Sequence, residues 1–214
     1  ACNALIAASL LDMIDGRVAR MLDAQSDIGK ELDSLVDVIA FGVAPAYLAY
    51  CHSLHELGDV GGIPVALAPM FAFVAASALR LAIFNSAPDQ SLSSFRGIPT
   101  PVSALLVTCA IMIDHELEAT LAKTPALLAA LMGLAAVLMV APLSFPAFKS
   151  FKSKVWMLLY FGSMVGGVTM LLVGLPGGTV LFGFMLLYLL RGLVEAVAPG
   201  ATRAASATEA DSQS

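Results

Sequence analysis

Runs of about twenty apolar residues, repeated along nearly the whole chain, constrain this sequence more than any other feature. A helix needs about 20 mainly apolar residues to cross the hydrocarbon core of a bilayer. Seven runs approach that length between polar or Pro/Gly punctuation: Ala1 to Met21, Ser34 to Tyr50, Ile63 to Phe84, Pro101 to Ile113, Pro125 to Val140, Val155 to Leu175 and Thr179 to Val197. The fourth is short unless it continues through Asp114. With 59% hydrophobic and 13% charged residues, the chain stands far from the roughly 45–50% and 25% of soluble domains. A water-soluble globule is excluded. The sequence reads as an all-α, polytopic helical membrane bundle over 1–198, with about seven transmembrane helices. The tail 199–214 has a composition that cannot bury a core and is expected to be disordered. The GLPGG stretch from Gly174 to Gly178 is too tight for anything but a hairpin between antiparallel helices.

The basic residues test this arrangement, because cytoplasmic loops collect Lys and Arg. If the seven helices alternate, Arg17, Arg20, Lys30, Arg80, Arg96, Lys149, Lys152, Lys154, Arg191 and Arg203 fall on one side, and only Lys123 on the other. The opposite loops hold His52, His55, Glu56, Asp59, Asp114, His115, Glu116 and Glu118. The basic side, with the tail, is therefore read as cytoplasmic. A formal charge of -5 offers no basic field for a nucleic-acid backbone, so no nucleic-acid partner is expected.

Carboxylates on apolar helices are costly and therefore functional candidates. From Asp12 the chain reads DMIDGRVARMLDAQSDIGKELDSLVD. Asp12 and Asp15 are three apart and Asp33 and Asp37 four apart, so each pair shares one helix face. Both pairs lie near the basic side. Four clustered carboxylates repel one another unless a cation intervenes, and hard divalent ions such as Mg²⁺ or Mn²⁺ accept oxygen ligands. Two such ions could clamp a phosphoryl group. Gly16, Ala19 and Gly29 leave room for close helix approach or for a ligand, and Arg20 can offer a planar guanidinium to a phosphate. Any single Asp could instead be an interfacial charge paired with Arg17, Arg20 or Lys30. A chance match at eight such positions together is on the order of 10⁻¹⁰ per start site.

Asp12, Asp15, Gly16, Ala19, Arg20, Gly29, Asp33 and Asp37 match every fixed position of the signature of the CDP-alcohol phosphotransferases, and the chain resembles that family. The resemblance implies an integral membrane enzyme that moves a substituted phosphate from a CDP-alcohol to a hydroxyl and releases CMP. It implies that Asp12, Asp15, Asp33 and Asp37 hold two Mg²⁺ or Mn²⁺ ions, with Asp37 also the catalytic base for the acceptor hydroxyl. Gly16, Ala19, Arg20 and Gly29 would line the site of the CDP moiety.

Flanking stretches resemble the phosphatidylserine synthase branch: LDSLVDVIAFGVAPA from Leu32 to Ala46, RLAIFN from Arg80 to Asn85, FRGIPTP from Phe95 to Pro101, and SFPAFKSFK from Ser144 to Lys152. That branch implies CDP-diacylglycerol as donor and L-serine as acceptor. Arg80 and Arg96 could meet the acceptor's carboxylate, or serve as positive-inside anchors and lipid contacts. Ile83 stands where the branch usually carries a second Arg. The family core also begins with a helix ahead of the first one here, so an N-terminal helix is expected upstream of Ala1.

Two alternatives stay open. The same transfer could go to glycerol 3-phosphate, an inositol phosphate or choline, or the intramembrane acids could serve an ion-coupled transporter. Among the remaining features, CHSLH from Cys51 to His55 lacks a fourth ligand for zinc. Asp114, His115, Glu116 and Glu118 read as a polar loop. Cys2, Cys51 and Cys109 read as small packing residues. Gly162 and Gly166 form a GxxxG that could serve a homodimer or packing within one protomer.

Overall fold

Alanine, leucine and methionine fill the apolar runs, and these side chains lose little freedom in a helix. The computed structural model, which describes residues 1–21, 27–86, 94–117, 122–141, 144–146, 162, 165–171 and 173–197, is accordingly mostly helical. Its principal elements are α1 (Cys2–Met21), α2 (Asp27–Asp37), α3 (Ala44–His52), α4 (Leu67–Ser86), α5 (Thr100–Glu116), α6 (Pro125–Val140) and α7 (Gly177–Val197). Residues 165–171 are also helical. Two short antiparallel ribbons interrupt them: β1 (Asp59–Val60) with β2 (Ile63–Pro64), and β3 (Ser94–Arg96) with β4 (Ser144–Pro146). The second run begins at Asp27 rather than Ser34, because the acidic first turns are helical as well. The fourth continues through Asp114, as its length requires.

α2 and α3 are joined without a break by a π-helical turn, Val38–Val43. Pro45 sits in the first turn of α3, where it cannot donate to the preceding turn and its ring would crowd an α-helical carbonyl. Widening that turn, so that Ala44 N–H reaches the carbonyl of Ile39, carries the helix past the proline. Such turns gather at functional sites, and this one directly follows Asp37.

The core centres on α5, in which fourteen of seventeen residues are buried; α1, α3, α6 and α7 all pack against it. Within it the buried Thr108 Oγ1 donates to the Ala104 carbonyl at 2.8 Å. Large apolar side chains such as Tyr47, Phe71, Val137 and Leu187 face outward, as they would toward lipid. Glu31–His52 and Leu67–Ser86 are long and apolar enough to cross a membrane, while Pro125–Val140 and Gly177–Gly192 are apolar but shorter. Sixteen residues rise about 24 Å, short of a hydrocarbon core of about 30 Å. The described helices therefore meet the length-and-composition criterion twice, not seven times.

The hairpin expected at GLPGG is present. Gly174 adopts φ 79°, and Leu175 N–H closes the turn on the Met170 carbonyl at 2.8 Å. A Cβ on Gly167 would meet the Leu181 side chain at 2.7 Å, whereas one on Gly162 or Gly166 would meet nothing within 4 Å among the described residues. Packing against α7 thus falls to Gly167, outside the GxxxG pair. Cys109 is buried and Cys2 partly so, but Cys51 is exposed and does not pack. The tail 199–214 and Lys149, Lys152 and Lys154 lie outside the described residues.

Candidate active site

Three of the four expected carboxylates converge. Asp12 on α1 and Asp33 and Asp37 on α2 each offer an oxygen within 4.8 Å of the other two, Asp12 and Asp37 half-buried and Asp33 exposed. The i, i+4 spacing puts Asp33 and Asp37 on one face of α2, and α1 supplies the third from across the groove. Two oxygens bound to one Mg²⁺ at about 2.1 Å can be at most about 4.2 Å apart. The three oxygens lie within 4.8 Å of one another, so a shift of about half an ångström brings them within that span. Three hard oxygen donors, with no sulfur or nitrogen among them, fit a divalent cation of the Mg²⁺ or Mn²⁺ class.

Asp15, Gly16, Ala19 and Arg20 lie on α1, but their side chains are outside the described set. Gly29, on the first turns of α2, is exposed beside the carboxylates.

α4 bounds the site on another side. Asn85 Nδ2 donates to Ser34 Oγ at 2.8 Å, tying the end of α4 to the residue next to Asp33. One and a half turns back, Arg80 Nη1 donates to Thr100 Oγ1 at 3.1 Å, at the start of α5. Arg80 Nε is buried and finds no acceptor among the described residues. The close approach of α4 depends on Gly42 in the π turn, where a Cβ would come within 3.2 Å of the buried Ser77 Oγ.

Arg96 lies in β3, paired with Ser144 of β4, and Phe95 pairs with Phe145; the Arg96 side chain is outside the described set. The ribbon thus joins the FRGIPTP and SFPAFKSFK stretches, a pairing invisible in the sequence. Gly97, just after β3, has φ 73° and lies so close to α6 that a Cβ would clash with the Met139 carbonyl oxygen. Ile98 N–H donates to the Leu138 carbonyl at 3.1 Å.

The far end of the bundle corrects one expectation. Asp114, His115 and Glu116 are the last turn of α5 rather than a polar loop. Asp114 is 2% exposed; its Oδ2 accepts from His52 Nε2 at 3.0 Å and its Oδ1 from Ala122 N–H at 3.1 Å. Glu116 accepts from the Gly178 and Thr179 N–H groups at 2.8 and 2.7 Å and from Thr179 Oγ1 at 2.7 Å, capping α7. Helix N-termini favour such a carboxylate because their first amides lack partners. The residues of CHSLH disperse: His52 turns to Asp114, His55 Nδ1 donates to the Tyr50 carbonyl at 2.9 Å, and no metal-binding group forms there among the described residues.

Comparison with known proteins agrees with this geometry. Residues 1–141 match the family model described as CDP-alcohol phosphatidyltransferase. The chain is 38% identical over 195 residues, 91% of its length and 78% of the relative's, to the CDP-diacylglycerol--serine O-phosphatidyltransferase of Helicobacter pylori (strain ATCC 700392 / 26695). Proteins of the same name are similar from Bacillus subtilis (strain 168), 37% identical over 65% of this chain and 70% of the relative, and from Methanocaldococcus jannaschii, 31% identical over 87% and 79%. The match across two thirds of the sequence, carrying the converged carboxylates, makes this chain a member of the CDP-alcohol phosphatidyltransferase family.

Proposed function

We propose that this enzyme transfers the phosphatidyl group of CDP-diacylglycerol to the hydroxyl of L-serine, giving phosphatidylserine and CMP. The observation that carries the reading is the convergence of Asp12, Asp33 and Asp37 in a chain whose relatives bear that activity in their names.

In this reading Asp12, Asp15, Asp33 and Asp37 hold two Mg²⁺ or Mn²⁺ ions, which supply neutralisation of the diphosphate charge when bound. Asp37 accepts the proton of the serine hydroxyl, which must approach to within roughly 2.6–3.2 Å of its carboxylate. Positioning and charge neutralisation account for most of the rate of such a transfer. Gly16, Ala19 and Gly29 give the cytidine and diphosphate room to lie against α1 and α2, and Arg20 pairs with a phosphate oxygen. Arg80 and Arg96 orient the acceptor by its carboxylate; the buried, unpaired Arg80 Nε supports this for Arg80. The whole of 1–198 forms one transmembrane domain of seven spans in the cytoplasmic membrane. Its carboxylates face the cytoplasm, and the tail 199–214 lies on the same side. A second copy of the chain packs on the face of Gly162 and Gly166, where a Cβ would meet nothing within 4 Å among the described residues.

The test is CMP release by purified protein in detergent with CDP-diacylglycerol and Mn²⁺ or Mg²⁺. Serine, glycerol 3-phosphate, inositol phosphate and choline are supplied singly, each with wild type and Asp37→Asn. Serine-dependent release abolished by the substitution is the expected result. Release with another acceptor overturns the serine assignment, and no release with any acceptor overturns the enzyme reading.

A further inference from the structure

The hydroxyls of α5 meet two different fates. Thr108 Oγ1 donates to the Ala104 carbonyl and Ser103 Oγ to that of Pro99, each four residues back along the chain. Thr100 opens the helix directly after Pro99, at an N-terminus that no side chain caps, and its hydroxyl turns to another helix. It is 1% exposed, and its Oγ1 accepts from Arg80 Nη1 of α4 at 3.1 Å. The backbone just ahead of it is fixed on α6, through the bond from Ile98 N–H to the Leu138 carbonyl and the close approach of Gly97 to Met139.

Two further contacts set where Arg80 stands. Asn85 is bonded to Ser34 and Ser77 lies against Gly42, so α4 runs antiparallel to α2 and the π turn. Arg80 falls between Ser77 and Asn85 on one side of this crossing, as Asp37 falls between Ser34 and Gly42 on the other. The π turn packs against both α4 and α5, and the bond from Arg80 to Thr100 joins those two helices.

We infer that Thr100 is a positioning residue for Arg80, holding the guanidinium so that its Nε edge stays open to the acceptor's carboxylate. The inference rests on the proposed role of Arg80 at the acceptor. A guanidinium is a planar fork of five donors, and a bond at Nη1 restricts rotation of that plane. Nε is buried and has no acceptor among the described residues; with Nη2 it forms an edge that can give a carboxylate two parallel bonds. Without the hydroxyl, this long side chain must be ordered when serine binds, and that cost falls on serine affinity. The threonine of FRGIPTP thus acts on the acceptor through Arg80.

The experiment measures kcat and KM for serine and for CDP-diacylglycerol in detergent. The proteins are wild type, Thr100→Val, Thr100→Ala, Thr100→Ser, Arg80→Gln and the double variant of Thr100→Val with Arg80→Gln. Valine keeps the branched shape without the hydroxyl, alanine is the second variant lacking it, and serine keeps it; the apparent Tm checks that each retains the fold. Thr100→Val and Thr100→Ala should raise serine KM roughly tenfold, the scale of one lost hydrogen bond to a charged group. KM for CDP-diacylglycerol should not change, and Thr100→Ser should keep serine KM near wild type. In the Arg80→Gln background Thr100→Val should add nothing, because coupled residues are non-additive. Equal shifts in both KM values, a Thr100→Ser defect as large as that of Thr100→Val, or full multiplication of the two effects overturns the inference. If Arg80→Gln raises serine KM while Thr100→Val and Thr100→Ala do not, only the role of Thr100 falls. If Arg80→Gln leaves serine KM unchanged, the acceptor reading of Arg80 falls with it.

Discussion

The two ends of the bundle treat acidic side chains in opposite ways. At one end Asp12, Asp33 and Asp37 approach one another to within 4.8 Å; at the other Asp114 and Glu116 are each met by donors from the chain itself, an imidazole, backbone amides and a hydroxyl. Carboxylates answered by their own protein are structural, since removing a donor strands a buried charge. Carboxylates brought this close to one another repel, and a bound cation relieves that repulsion. The contrast separates a binding site from a scaffold with no reference to which residues recur among relatives.

Substitutions at the two ends should therefore diverge. Asp37→Asn should lower CMP release on the order of 10³-fold or more, combining loss of a general base with loss of a metal ligand. Its apparent Tm without metal should change little, since relief of the repulsion with Asp12 and Asp33 offsets the attraction to Arg80 that is lost. A stability loss comparable to a core defect would break the comparison. Chelation by EDTA should abolish release, with recovery on adding Mn²⁺ or Mg²⁺. Mn²⁺ should also raise the Tm of wild type, but not of Asp37→Asn, as expected for a ligand that binds only the folded state.

Asp114→Ala should do the reverse. Leaving His52 and the Ala122 amide without their acceptor should cost about 1–3 kcal/mol for each stranded donor, read as a lower Tm or poor yield, while turnover per folded molecule stays near wild type. A selective loss of turnover at full stability would count against a purely structural far end. Gly97→Ala forces a Cβ into the Met139 carbonyl at a positive φ and should cost about 1–3 kcal/mol. Because Gly97 directly follows Arg96, the last residue of β3, the substitution should also raise serine KM if Arg96 contacts the acceptor. The smallest effect is expected for Glu116→Gln, which keeps the shape of the α7 cap but removes its charge. About 0.3–1 kcal/mol should appear in Tm, with both KM values unchanged.

Much of the candidate site was legible in order along the chain. The spacing of Asp33 and Asp37 needed only the helical period to predict a shared face, and charge on apolar helices marked them, with Asp12, as functional candidates. Arg80 was visible as a charge in an apolar run, though not its bond to Thr100. Asp114 and Glu116 were misjudged as loop residues, because a polar cluster at the end of an apolar run reads the same whether it caps a helix or faces water. What could have corrected it is the composition of their partners: the apolar segment after GLPGG begins with bare glycine amides, and Glu116 is the acid that reaches them.

Local chemistry by itself thus determined that the chain is helical, that its helices suit an apolar solvent, that GLPGG must turn, and that four aspartates lie on two helix faces. Each of these depends on residues within one or two turns of one another, where period and composition suffice. Only the tertiary structure decided that α5 is the central helix, that a π turn carries the chain from Asp37 past Pro45, that β3 meets β4, and that α7 packs along α5 and against β4. Those relations join residues far apart in sequence, and they are set by which surfaces pack closest and which buried donors find acceptors. No local pattern encodes either.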